Sequence, residues 1–331
     1  MVFLIQELFK FLIPLMIVAL AGVFAERSGI INIALDGMMI FGAFCGALFI
    51  YILQKNGVSA DGGIGQLYYI LAMVIAAAGG ALFSLLLAFS AINLKADQTI
   101  GGTALNMLAP AFTLFFIDLL CKQQYMNMPY GTVNWFMIKN PELAESGSFL
   151  AAFFDQAYIS TYLMIALFVI LSIVLYKTKF GLNLRACGEH PQAADSVGIN
   201  VKKMRYIGTV ISGALGGLGG YIYVVSSANG AVQGDVQGAG FIALAIMIFG
   251  NWKPTGIALG SLLFGLLKCI SATYASLDIN GDGEFLLRNL GLPNYFYNML
   301  PYIAVLVVLA FTAGKSRCPK AEGIPYDKGQ R

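Results

Sequence analysis

The chain reads as a succession of long apolar runs separated by short polar segments. Runs long enough to cross a bilayer fall at 8–25, 28–53, 67–90, 100–120, 158–176, 206–227, 238–250, 254–275 and 295–313. A lipid-exposed crossing takes about 20 helical residues, and hydrocarbon leaves only helices and closed barrels able to satisfy every backbone group. The pattern predicts an all-α integral membrane protein, a polytopic bundle of about nine to ten transmembrane helices. The seventh run is short and Pro254 follows it closely, so it reads as a buried or tilted span. Residues 1–331 read as a single transmembrane domain.

The second run carries polar residues inside it: "ERSGIINIALDGMMIFGAF" opens on Glu26 and Arg27 and holds Asn32 and Asp36. Asn32 and Asp36 are four residues apart, so they are expected to share one helix face. Asn106 is the matching amide in the fourth run. Polar groups within a membrane normally face the bundle interior or a water-filled path. Two roles stay open for Asp36. One is contact with a solute. The other is structural, by pairing with Arg27 or ending a helix, because Gly37 follows directly and permits a break.

Composition agrees with the pattern. Hydrophobic residues make up 58% and charged residues 11%, far below the roughly 25% of a soluble domain. A net charge of +3 gives no footprint for nucleic acid. The five cysteines, Cys45, Cys121, Cys187, Cys269 and Cys318, lie far apart, so no redox pair or zinc knuckle is expected. A single histidine, His190, argues against a histidine metal site or a Ser-His-Asp triad. The first run ends in small residues, as a signal peptide does. Its leader offers Glu7 and Lys10 rather than a basic stretch, so it reads as a retained span.

Charge distribution sets the expected orientation. The 177–205 loop carries Lys177, Lys179, Arg185, Lys202, Lys203 and Arg205. The tail carries Lys315, Arg317, Lys320, Lys328 and Arg331. Both are expected in the cytoplasm. The 121–157 loop, with Trp135, Glu142, Glu145 and Asp155, and the 276–294 loop, with Asp278, Asp282 and Glu284, are expected outside. Strict alternation then leaves the N-terminus outside, unless a re-entrant half-helix precedes residue 67. An internal echo relates "AAGGALFSLLLAFS" (77–90) to "ALGGLGGYIYVVSS" (214–227) at an offset of 137, which sets Gly101 on Gly238. The two spans point in opposite directions, as in an inverted repeat.

Several motifs have plainer readings than they first suggest. In "SGALGGLGGY", Gly213 and Gly217, and Gly216 and Gly220, are four apart and suit close helix packing in lipid. A dinucleotide fingerprint would need a preceding strand. "GKS" at 314–316 lacks the phosphate loop's first glycine, since Leu309 stands there. Asp278, Asn280 and Asp282 follow a calcium-loop spacing, but Asn289 replaces the bidentate Glu, so a plain polar turn is expected ahead of the alternative, a weak outer-face calcium site.

The 177–205 loop is the most informative segment. Pro191 suits the first turn of a helix, and Gly198 suits a left-handed cap about two turns later. A short cytoplasmic helix is expected between two spans.

On these residues the chain resembles a known family. "QAADSVG" (192–198) is similar to the EAA-x-x-x-G signature of bacterial ABC-importer permeases, with Gln192 in place of Glu. The run "LRACGEHPQAADSVGINV" resembles the cytoplasmic loop of the permeases serving branched-chain amino acids, simple sugars and nucleosides. "ERSGIINIALDGMMIFGAF", "LKADQTIGGTALNMLAP" and "GNWKPTGIALGSLLFG" extend the likeness in order along the chain. It is nearest to the simple-sugar/nucleoside branch, and there to the shorter of two paired permeases. The resemblance implies a pore subunit of the bacterial cytoplasmic (inner) membrane without catalysis or a cofactor of its own. ATP-Mg would bind a partner ABC ATPase. A second permease, homologous or identical, would complete the pore, and an extracytoplasmic solute-binding protein would deliver a small-molecule solute. Glu189, Pro191, Gln192, Ala193, Ala194, Asp195 and Gly198 would form the coupling helix that docks on the ATPase. Gln192 removes a charge the signature often carries. The substrate path would include Asn32, Asp36 and Asn106. Three rival readings stand beside this one: a branched-chain amino acid permease, an ion-coupled secondary transporter and a membrane-embedded enzyme. The last two lack acidic or histidine ligands, since Asp36 and Asp118 are almost the only carboxylates in the runs.

Overall fold

The computed structural model describes residues 2–58, 63–128, 136–140, 151–228, 230–276, 286–289, 291–312 and 318–329. Its main elements are helices. They are α1 (Val2–Glu26), α2 (Leu35–Lys55), α3 (Ile64–Ile92), α4 (Gln98–Cys121), α5 (Ala151–Phe154), α6 (Ile159–Lys177) and α7 (Lys179–Glu189). There follow α8 (Pro191–Ser196), α9 (Val201–Ser227), α10 (Ala239–Phe249), α11 (Pro254–Thr273), α12 (Leu286–Asn289) and α13 (Asn294–Thr312). Among the described residues seven helices, α1 to α4, α6, α9 and α11, are long and apolar enough to cross a membrane, fewer than the nine to ten expected. Two shorter apolar helices, α10 and the Asn294–Val308 part of α13, account for the remaining runs. The protein is a multi-pass membrane protein. Two antiparallel pairs of two-residue strands complete it: β1 (Met126–Asn127) with β4 (Ala231–Val232), and β2 (Met137–Ile138) with β3 (Ala157–Tyr158).

Helix boundaries follow local chemistry. Asp97 caps α4 by accepting from the Thr99 and Ile100 amides at 2.8 and 3.0 Å. Asn200 caps α9 through the Lys203 amide at 3.0 Å. Pro254 and Pro191 open α11 and α8, where a missing N–H costs nothing.

The centre of the bundle is α9, packed against α1, α2 and α3. Glycine makes this approach possible. A Cβ on Gly217 would fall 2.4 Å from the Ala76 carbonyl and 2.9 Å from the Gly80 Cα, and one on Gly42 would fall 2.1 Å from the Gly217 Cα. Gly213 also lies on α3, against Ser84 and Gly80, whereas Gly216 and Gly220 face Met38 and Met39 of α2. The interleaved glycines thus serve two neighbours, α3 and α2, from adjoining faces of the α9 helix. Because Gly213 meets Ser84 and Gly217 meets Ala76, α3 and α9 run antiparallel. Gly80 and Gly217, the crossing point, hold the same place in the two copies of the 137-residue echo. Outer helices α4 and α6 expose Met107, Phe115, Leu119, Val169, Ile170 and Ile173, an apolar surface suited to lipid.

The second run departs from the sequence expectation. It is not helical from residue 28: α1 ends at Glu26, and α2 begins only at Leu35. Residues 27–34 form a buried, non-helical stretch that reaches from the start of α9 to its middle. Side chains from α4 satisfy its backbone. Gln98 Oε1 accepts from the Ile31 amide at 2.7 Å. Asn106 donates to the Ile33 carbonyl at 2.9 Å and accepts from the Gly37 amide at 2.8 Å. Irregular backbone at membrane depth survives only when it is so paired. Asn32 therefore precedes the helix and does not share a face with Asp36. Arg27 pairs with Glu189 at 3.3 Å, not with Asp36.

Candidate functional site

Two polar regions stand out, one deep in the bundle and one at the end where residues 318–329 lie. We call that the tail end and its opposite the far end. The deep region forms where two helices begin. The α2 helix starts at Leu35 and runs to the far end, whereas α10 starts at Ala239 and runs to the tail end. A second non-helical stretch, 230–238, precedes α10 and passes through left-handed backbone at Gly234, Gln237 and Gly238. The two starts touch: a Cβ on Gly240 would fall 2.4 Å from the Asp36 Cα. Asp36 Oδ1 accepts the Gly240 amide at 2.9 Å. Asp36 itself lies in the first turn of α2, so one carboxylate faces the positive ends of two helix dipoles. Asn32 donates to Ser212 Oγ at 2.7 Å, and its Oδ1 is buried without a partner. The three residues expected along a path are thus each engaged in holding the broken segment.

The deep region also contains residues the sequence reading passed over. Lys268 sits within α11 and is only 6% exposed. Its ammonium donates to the Gln237 carbonyl at 3.3 Å and lies 5.6 Å from the Tyr302 ring centroid. No carboxylate forms an ion pair with it among the described residues. Asp235 and Asp36 are close enough to act on its charge. A lone Lys in the run "GSLLFGLLKCISAT" carries the same signal as the lone Asp in the second run.

At the tail end, α7 and α8 lie under residues 318–329. The Gly198 amide returns to the Asp195 carbonyl at 2.9 Å with φ +88°, ending α8 in left-handed backbone. Pro191 and Ala194 are buried, whereas Gln192 and Ala193 are exposed. Ala194 packs with Cys187, Val201 and Tyr326. The tail is bound mainly by backbone. The Ala321 amide donates to the Gly188 carbonyl at 2.8 Å and the Gly323 amide to the Gly29 carbonyl at 3.2 Å. Arg205, 1% exposed, donates to the Ile324 carbonyl at 2.9 Å and the Ala321 carbonyl at 3.5 Å. Lys95 pairs with Asp327 at 2.7 Å, and Lys328 approaches Asp195 at 4.0 Å. Glu322 lies beside Glu26, whose carboxylate accepts from the Trp252 indole N–H. Burial pushes the Glu322 carboxyl up to about 7, although a hydrogen bond shared with Glu26 and the charge of Arg27 pull the other way.

Among the described residues no group of three or more His, Cys, Asp and Glu side chains is placed to hold a metal ion. Asp278, Asn280 and Asp282, and Gly314 to Ser316, lie outside the described residues.

Comparison with known proteins covers nearly the whole chain. A family model described as branched-chain amino acid transport system / permease component matches residues 4–309. The guanosine ABC transporter permease protein NupQ of Bacillus subtilis is 42% identical over 320 residues, 96% of this chain and 94% of the relative. The nucleoside ABC transporter permease protein NupC of Lactococcus lactis is 38% identical over 317 residues, again 96% and 94%. A second Bacillus subtilis protein, the guanosine ABC transporter permease protein NupP, is 26% identical over 275 residues, 81% of this chain and 73% of the relative. No solved structure gives a significant match.

Proposed function

The chain belongs to the branched-chain amino acid transport system / permease component family, and from that premise we propose that it is a pore subunit of an ATP-driven ABC importer for nucleosides. The observation that carries the reading is similarity along almost the full length to two permeases named for guanosine and for nucleosides. The branched-chain amino acid alternative has no such support, since both of these relatives are named for nucleosides. The chain itself performs no chemistry. ATP-Mg is bound and hydrolysed by a partner ATPase, a solute-binding protein delivers the nucleoside, and a second homologous permease completes the pore. That Bacillus subtilis holds two guanosine permease proteins, both similar to this chain, supports a heterodimer.

The tail end is assigned to the cytoplasm. Lys177, Lys179, Arg185, Lys202, Lys203 and Lys328 gather there, as the positive-inside rule requires. The α8 helix is the docking element for the ATPase, with Gln192 and Ala193 as its exposed contacts. Closure of the ATPases on ATP pulls on α8. The motion reaches the pore through α7 and the 27–34 stretch, joined to each other by the Arg27–Glu189 pair. A ligand or nucleotide shifts such an equilibrium only as far as it binds the two states unequally.

Uptake decides the matter. Cells expressing the permease with its ATPase, second permease and binding protein should accumulate labelled guanosine, and accumulation should stop when the ATPase is inactivated. Uptake of leucine but not guanosine would overturn the nucleoside reading. A cysteine at Ala193 should crosslink to the ATPase in the assembled complex. A complex that assembles fully without that crosslink would remove α8 from the docking role.

A further inference from the structure

A cleft of about 470 Å³ opens at the far end, within the ~300–1,000 Å³ of small-molecule sites. Two polar stripes face each other across it. One is Lys268, Ser271 and Tyr274 on α11, and the other is Asn294, Asn298 and Tyr302 on α13. They touch at two points: Ser271 donates to Asn298 Oδ1 at 3.1 Å, and Tyr274 hydrogen-bonds Asn294. The floor is the Gln237 carbonyl, which already accepts from Tyr302 at 2.8 Å as well as from Lys268 at 3.3 Å. A buried ammonium has three donors and is costly when they are unmet. Here one donor has a long bond to a shared carbonyl, and the others have no acceptor among the described residues.

We propose that this cleft is a solute subsite for a neutral nucleoside, in which Lys268 Nζ and the Asn298 amide donate to the carbonyl and ring-nitrogen acceptors of the base. The inference rests on the nucleoside-importer reading above and adds to it the residues and the part of the solute they recognise. Two carboxylates, Asp36 and Asp235, lie close enough to act on the one ammonium, so it does not face the cleft as an uncompensated positive charge seeking an anion. Tyr274 and Tyr302 also line the cleft, Tyr274 with one face stacked on Tyr297 and Tyr302 beneath the Lys268 ammonium. The ammonium's few bonds suit a transporter, because a solute that must leave cannot be held by a closed polar cage.

The test uses the complete transporter in proteoliposomes, with binding protein loaded either with guanosine or with 2-aminopurine riboside, which lacks the O6 carbonyl. Lys268→Met should lower guanosine uptake about tenfold or more, the cost of one charge-assisted hydrogen bond. It should lower uptake of the analogue much less, so that the preference for guanosine collapses. Lys268→Arg should keep the preference. Equal losses for both solutes, or no loss for either, overturn the subsite. If Lys268→Met does not copurify with its partners, Asn298→Ala carries the same comparison with the same two overturning outcomes. Wild-type transporter that takes up neither solute would instead overturn the nucleoside reading itself.

Discussion

Asp36 and Lys268 are both charged side chains buried within membrane-spanning helices, and they lie close enough to act on one another. Their surroundings differ. Asp36 is closed in by backbone: it accepts the Gly240 amide and stands at the meeting of two helix starts. Lys268 faces a cleft and donates one long bond to a carbonyl that Tyr302 also uses. An intramembrane charge is therefore not one kind of signal. Where the backbone stops being helical at depth, a carboxylate is a structural part that replaces missing amide partners. Where donors remain unmet beside a cavity, a cation is available to something that passes. Lone-charge reasoning from sequence cannot separate the two, because the difference lies in partners on other elements, Gly240 more than 200 residues from Asp36 and the Gln237 carbonyl 31 residues from Lys268.

Removing the closure around Asp36 should have the largest effect. Gly240→Val places a side chain 2.4 Å from the Asp36 backbone, with no flexible neighbour to yield. Overpacking against backbone should cost about 3 kcal/mol or more. The variant should fail to yield a monodisperse species in detergent. Normal yield and unfolding temperature would mean that the two helix starts do not meet this tightly.

Exchanging each charge for an apolar side chain sharpens the contrast. Asp36→Leu leaves the Gly240 amide unpaired and should cost about 1–2 kcal/mol, in the range of a lost N-cap. Asp36→Asn keeps an acceptor and should recover most of that. Lys268→Met should be neutral or stabilising by up to about 2 kcal/mol, since it replaces an under-satisfied charge with a well-packing isostere. Thermal unfolding of the three variants in one detergent provides the comparison. If Lys268→Met destabilises as much as Asp36→Leu, Lys268 is a structural residue and the cleft loses its argument.

How legible this was follows from the same residues. The glycine spacing at 213, 216, 217 and 220 specified close helix contacts, because period 3.6 and small size are properties of the sequence itself. Asp36 was visible as a charge in an apolar run, but its geometry was not. The period-four relation to Asn32 assumes an unbroken helix, and the break at 27–34 is stabilised by Gln98 and Asn106 from a different span. Lys268 was visible by the same rule and was passed over, since the run around it is otherwise ordinary. The docking of 318–329 could not be read at all. Its bonds join backbone amides to the carbonyls of Gly188 and Gly29, groups every residue carries.

That docked tail supplies a further charge, the half-buried Glu322, close to the tail-end surface, where pH reaches it. Arg205→Met should release the tail most strongly, removing donors from the Ile324 and Ala321 carbonyls at a cost of roughly 1–3 kcal/mol of docking. A finer effect comes from Glu322. Its carboxyl titrates at about 7 when docked and near 4.3 when free in water. Between those values the docked tail holds more protons than the released one, so docking weakens as pH rises through that window and is strongest below it. Hydrogen exchange at the Ala321 and Gly323 amides reads this directly, because both are protected only while the tail is docked. Their protection factors, corrected for intrinsic exchange, should be smaller at pH 8 than at pH 5.5, and Glu322→Gln should flatten the difference. Glu26 stays in place in that variant, so a pH effect that survives it would assign the titration to Glu26 instead. Protection that rises with pH would show that Glu322 docks as a satisfied carboxylate, in the manner of Asp36 rather than of Lys268.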